Sequence, residues 1–263
     1  MTYISLSFSD LALAALLILV NAGLSLALGL GLERRLFVAA SRMVVQLLLV
    51  GLVLEALFRT VNPWATALVA AAMVGFAGRE ATARQEHRLA GWWSQGLGTG
   101  AMLMAAGIVT LFALTTQLRP HPWYDPRYAI PLLGMVLGNT MNGISLGLNA
   151  LTGDLGHNRA AVEARLALGA DRWQAMRFLA GKSLRMATTP IVNSMAATGL
   201  VSLPGMMTGQ ILGGVAPFEA VKYQILVMFL IAGGTGIGAV AAIGGGVLRL
   251  TDHRHRLRLD RLG

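Results

Sequence analysis

NRAAVEARLALGADRWQAMRFLAGK, residues Asn158 to Lys182, is a charged, helix-patterned stretch set between two long apolar runs. Asn158 stands as an N-cap, and Val162, Leu166 and Gly169 fall on one helical face, so the first half reads as a short amphipathic helix. Gly169 ends it, because glycine takes up the left-handed conformation that closes many helices. Asp171 follows as a second N-cap, with Gln174 three residues on to complete a capping box, and Trp173, Met176 and Leu179 give a second short helix its apolar contacts. The expected product is a helical elbow at a membrane surface.

The surrounding sequence supplies the membrane. Of 263 residues, 55% are hydrophobic and only 13% charged, and the mean hydropathy is +0.63, outside ordinary soluble composition. Runs of about 20 apolar residues can cross a hydrocarbon core as helices. Candidates lie at about 11–32, 36–58, 64–78, 97–118, 129–151, 187–212 and 223–250. The reading is an all-α polytopic membrane protein of about seven transmembrane helices, a single domain over 1–263. It places the elbow at about 158–182, between spans five and six, and a basic tail at about 251–263. The third run is short and opened by Pro63 and Trp64, which leaves a six-span count open. The first is too long for a signal-peptide core and Met1 to Asp10 carries no Lys or Arg, so it is expected to be retained.

A net charge of +9 would suit nucleic acid, but its placement points to a lipid bilayer instead. With the N-terminus outside, the inner segments hold Arg34, Arg35, Arg79, Arg84, Arg88 and the basic residues of the elbow and tail, while the outer ones hold only Arg59, Arg119, Arg127 and Lys222. That asymmetry predicts an N-out, C-in protein of the cell inner (plasma) membrane, with the elbow in the cytoplasm. Cysteine is absent, which excludes disulfides and thiolate metal sites. Gly181-Lys182-Ser183 is the nearest approach to a nucleotide-binding loop, but Met176 stands where that loop needs glycine. Lys182 then reads as a basic residue anchoring a helix end at the headgroups. The five histidines are expected in loops or the tail, His121 in a turn between Pro120 and Pro122, and His253 and His255 in solvent. No enzyme activity and no cofactor of its own is expected of this chain.

Glu163-Ala164 with Gly169 six residues after the Glu, in a cytoplasmic loop before the last spans, resembles the EAA loop of ABC-transporter permeases. Such a loop forms a coupling helix, which docks in a cleft of a separate ATPase so that closure of the ATPase moves the spans. The sequence departs from the importer form, which has Ile-x-Leu-Pro where Leu179, Ala180, Gly181 and Lys182 stand here. A longer resemblance is carried by LPGMMTGQILGG from Leu203, by Ala216, Pro217 and Ala220 to Gln224, and by GMVLGNTMN from Gly134. Arg42 with Gln46 and the block Glu163 to Ala170 fit as well, and together they look like the FetB family of ABC permeases.

This resemblance implies a membrane-spanning permease subunit, a homodimer working with an ABC ATPase that binds the ATP and Mg. Members of the family are described as iron exporters, and related plant proteins as half-transporters in aluminium tolerance. It further implies coupling to the ATPase through Glu163, Ala164, Gly169, Ala170 and Asp171. Three readings stay open beside it: an amphipathic loop lying on anionic headgroups, a self-sufficient secondary carrier or channel, and export of a non-metal cargo such as a sugar nucleotide.

Asn139, Asn142 and Asn149, with Ser145 between them, line one stripe of the fifth span and should face another helix or an aqueous pathway. Gly134, Gly138, Gly143 and Gly147 would allow close helix packing beside it. In the sixth span Pro204-Gly205 should kink or break the helix, with Met206, Met207 and Gln210 directly after. Thioethers suit soft metals better than iron, and core packing is the commoner use of methionine. Arg42 and Gln46 share a face about one turn inside the second span, where Arg42 should snorkel or bond a partner such as Glu163. Glu55, near the outer end of that span, reads as a snorkelling residue or a bond to a neighbouring helix.

Overall fold

The computed structural model describes residues 7–85 and 88–262. Positions 1–6, 86, 87 and 263 lie outside the described residues; they include the start of the N-terminal segment expected to be retained, one of the loop histidines and the last residue of the tail. The described chain is helical, with isolated β-bridges and no strand. It forms two compact units, one built on the first two helices and one on Asn62–Ile211 together with the chain from Val215 onward.

In the first unit, α1 (Phe8–Ala27) opens on a capping box in which Ser7 Oγ accepts from Asp10 N and Asp10 Oδ2 accepts from Ser7 N at 2.8 Å. The turn to α2 (Glu33–Thr60) uses left-handed Gly29 and Gly31. Ser25 Oγ ties it together, donating to Glu33 Oε2 at 3.0 Å and accepting from Leu32 N at 2.9 Å. Leu16, Leu17, Leu47, Leu48 and Leu52 are all exposed, the all-round apolar surface of helices solvated by lipid. Glu55 pairs within its own helix and not with a neighbouring one: Arg59, one turn on, meets it at 2.6 Å. Arg42 and Gln46 lie exposed on α2.

The second unit holds α3 (Pro63–Ala83), α4 (Trp93–Phe112, carried on by a π-helical turn at Ala113–Leu118), α5 (Pro126–His157), α6 (Arg159–Ala167), α7 (Arg172–Ala197), α8 (Gly205–Leu212) and α9 (Pro217–Leu250). Helix starts follow local chemistry. Asn62 caps α3 and Asp125 caps α5, each with proline at the first helical position, where its missing N–H costs nothing. The central helix is α5, which packs against α3, α4, α7 and α9. Its buried Val136, Ile144 and Leu148 share one apolar cluster with Met102 of α4 and Ile231 of α9, and its Leu151 and Leu155 share a second with Ile243 and Val247 of α9. Gly143 brings α7 and α9 close, since a Cβ there would lie 2.7 Å from Thr235 Cγ2 and 3.0 Å from the Ala187 carbonyl oxygen.

Among the described residues five helices are long and apolar enough to cross a membrane: α1, α2, α4 with its π turn, α5 and α9. The third and sixth expected runs are helices too, α3 and α7, but more polar ones. The sixth differs in extent as well. α7 begins at Arg172, well before the apolar run, and ends at Ala197, where Thr198 leaves the helical conformation and Gly199 takes φ +96°. The chain thus breaks at Thr198–Pro204, ahead of the expected Pro204-Gly205, and Gly205 starts α8.

The basic tail is not simply solvated. Leu257, Leu259 and Leu262 pack against the core beneath the elbow, Ala90 N donates to Arg261 O at 2.7 Å, and Arg172 N donates to His255 Nδ1 at 3.1 Å. Buried Asp252 organises the turn: its carboxylate accepts from the backbone of Arg256 and Arg254, each at 2.9 Å, and from the Arg256 side chain. These bonds, the Arg256 amide foremost, hold its carboxyl at about 2 against an ordinary 3.8.

Candidate functional site

The elbow is built from three local devices. Asn158 occupies the cap position of α6, but its carboxamide turns back to donate to Asp154 O at 2.8 Å rather than capping the new helix. At the other end Gly169, φ +89°, closes α6: Ala170 N donates to Arg165 O and Gly169 N to Leu166 O, the paired bonds of a Schellman stop. Asp171 then starts α7 in the expected capping box, Oδ1 accepting from Gln174 N at 2.8 Å while Gln174 Oε1 accepts from Asp171 N at 3.3 Å.

Packing gives the elbow two unlike sides. Val162 is fully buried, and Leu166 and Ala170 pack with Met176 and Leu179. The Arg165 guanidinium lies 4.5 Å from the Phe178 ring centre, joining the two arms. Glu163 and Ala164 are exposed with Ala160, Ala161 and Ala167, and Leu168, at the tip, is 88% exposed. Arg159 meets Glu163 at 2.8 Å on this free surface. Of the expected coupling residues, Glu163 and Ala164 are therefore presented outward, and Gly169, Ala170 and Asp171 form the bend itself. The second arm is no short helix, since α7 runs 26 residues without interruption through Pro190. Lys182 does not stand at a helix end: it sits within α7 and meets Asp154 of α5 at 2.8 Å. His157 ends α5 instead of lying in a loop, its ring within 3.2 Å of Gly153 O.

The asparagine stripe divides. Asn142 Oδ1 accepts from Arg84 Nη1 at 2.8 Å, Ser145 Oγ donates to Ala81 O at 3.3 Å, and Asn149 Nδ2 donates to Arg84 O at 3.1 Å. These groups pin α5 to the C-terminal end of α3, the interhelical alternative for such a stripe. Asn139 is exposed and donates to Met135 O of its own helix.

Farther from the elbow, a cavity of about 550 Å³ opens beside the first turns of α5, between α8 and the start of α9. Met206 and Gln210 line it; Met207, half-buried, does not. Arg127, Tyr128 and Tyr223 supply the other polar walls. From sequence, Arg127 served only for topology and Tyr223 only within the run Ala220 to Gln224, and Tyr128 went unremarked, although an arginine and tyrosines at the edges of apolar runs are a recognisable interfacial pattern. Among the described residues no group of three or more His, Asp or Glu is placed to hold a metal.

With this geometry in view, the comparisons are specific. The family described as "Uncharacterised protein family (UPF0014)" matches residues 8–250. The chain belongs to the UPF0014 family. It is 41% identical over 206 residues to a UPF0014 membrane protein of Synechocystis, covering 77% of this chain and 78% of that one. It is 34% identical to the Arabidopsis thaliana protein ALUMINUM SENSITIVE 3, over 88% of this chain and 82% of the other. An Escherichia coli relative named "Probable iron export permease protein FetB" is 31% identical over 96% of this chain and 95% of its own length. No solved structure matches. This UPF0014 chain is accordingly a membrane protein, and the residues that carried the FetB resemblance lie within the matched range.

Proposed function

We propose that this UPF0014 chain is the permease subunit of an ABC transporter, working as a homodimer with a separate ABC ATPase that binds ATP and Mg. In this reading α1, α2, α3, α4, α5, α7 and α9 are seven spans, the N-terminus is outside, and the elbow faces the cytoplasm of a cell inner membrane. The observation that carries it is the elbow's construction. One side is fixed to the core by Val162, Leu166 and Met176, the other leaves Glu163, Ala164 and Leu168 free to be gripped, and the bend leads without interruption into α7. A push on α6 would reach the bilayer through a single rigid helix. The printed name of the Escherichia coli relative supports export, and iron or another metal as cargo.

The test is ATP hydrolysis by the chain reconstituted in liposomes with its ABC ATPase. Wild type stimulates hydrolysis, whereas replacement of Glu163 and Gly169 abolishes stimulation and leaves membrane insertion unchanged. Full stimulation by that double variant, or ion-gradient-driven transport by the chain alone, defeats the reading.

A further inference from the structure

We propose that the cavity beside the first turns of α5 binds an anionic ligand with an apolar body, carrying a carboxylate or phosphate, and not a bare cation. Its polar walls are Arg127, Tyr128, Tyr223 and Gln210, and Met135 and Met206 are among its apolar ones. No Asp, Glu or His lines it. Among the described residues the Arg127 guanidinium has no hydrogen bond or ion pair, and neither do the Tyr128 and Tyr223 hydroxyls. The acids nearest in sequence are already engaged: Asp125 accepts from Arg127 N at 2.9 Å, and Glu219 meets Lys222 at 2.6 Å.

The unused capacity is therefore mainly donor capacity, held by one permanent positive charge and two phenols. A hard divalent or trivalent cation needs several oxygen ligands, with carboxylates prominent among them, and would be repelled by Arg127. A carboxylate or phosphate instead takes paired N–H bonds from the guanidinium fork and further bonds from the phenols. The proposal deepens the transport reading by naming the chemical class of the cargo: a metal would enter here as an anionic chelate. It rests on that reading only for passage, not for binding. A phospholipid headgroup offers the same chemistry at the bilayer edge, so the experiment separates the two sources.

The full chain, purified in a non-ionic detergent, is titrated calorimetrically with citrate, ferric citrate, phosphatidylglycerol and ferrous chloride. Citrate or ferric citrate binding that Arg127→Gln weakens about tenfold or more, and Tyr223→Phe weakens several-fold, establishes a soluble anionic ligand. The same losses seen with phosphatidylglycerol alone establish a lipid headgroup, and either result supports the proposal. Ferrous chloride binding that is equal or tighter in Arg127→Gln, with no anion bound, overturns it. So does anion binding indifferent to both variants, or no binding by any anion at millimolar concentration. If Arg127→Gln fails to fold, Tyr223→Phe, which removes a single exposed hydroxyl, decides alone. No ATPase is present, so failure here leaves the permease reading standing.

Discussion

At Gly143 the space for a side chain is already taken, because a Cβ there would meet Thr235 of α9 and the Ala187 carbonyl of α7, whereas at Gly138 nothing lies within 4 Å. Gly143→Ala should lower stability by about 1–3 kcal/mol, the usual cost of overfilling a packed site. Gly138→Ala should be neutral or stabilising by up to about 1 kcal/mol, since only the entropy of the glycine is removed. Thermal unfolding of the two variants in detergent measures the contrast. Sequence spacing showed that both glycines belong to one helix, but not which of them a neighbour crosses. The same holds for Asn142: its spacing from Asn149 was legible, while its partner Arg84 stands 58 residues away. Asp252 makes a pH-dependent case. Its folded carboxyl lies near 2 against 3.8 unpaired, so the contribution of its bonds is complete above about pH 4 and fades as pH falls from there towards 2. Protection of the Arg254 and Arg256 amides, measured as exchange relative to an unstructured peptide at the same pH, should fall over that window, and in Asp252→Asn it should already be lower at neutral pH.

At the scale of elements, the elbow was readable because its signals are local. A glycine stop and a capping box are each set by a few consecutive residues, and Gly169 and the Asp171–Gln174 pair behave as their sequence dictates. Asp171→Ala should cost about 1 kcal/mol and speed hydrogen exchange at the first amides of α7, with Ala187, deep in the same helix, unaffected. Helix length was harder to read. α7 carries Arg177, Lys182 and Arg185 ahead of its apolar run, so a span read from apolar residues starts at 187, whereas the helix is continued upstream by packing of Met176 and Leu179 and by the Lys182–Asp154 contact. The tail misled for a related reason. Its His and Arg residues look solvated one by one, while its order comes from Leu257, Leu259 and Leu262 meeting a core made by distant helices.

For the whole molecule, the decisive arrangement is which end of α5 carries which chemistry. At its C-terminal end the elbow, the tail and the loop after α3 come together, joined by the Arg172–His255 and Ala90–Arg261 bonds. At its N-terminal end stand Arg127 and the donor-lined cavity. A straight 32-residue helix is about 48 Å long, enough to hold these two ends on opposite sides of a bilayer. In the transport reading proposed above, the charge asymmetry puts the crowded basic end in the cytoplasm. Because the chain has no cysteine, that assignment can be checked with single introduced thiols at two exposed positions, Leu168→Cys at the elbow tip and His121→Cys in the turn before α5. A membrane-impermeant maleimide should label His121→Cys from the outer face of the inner membrane and label Leu168→Cys only after that membrane is permeabilised. The reverse pattern would put the elbow beyond the reach of any cytoplasmic ATPase, and labelling of both from one face would mean that α5 does not cross.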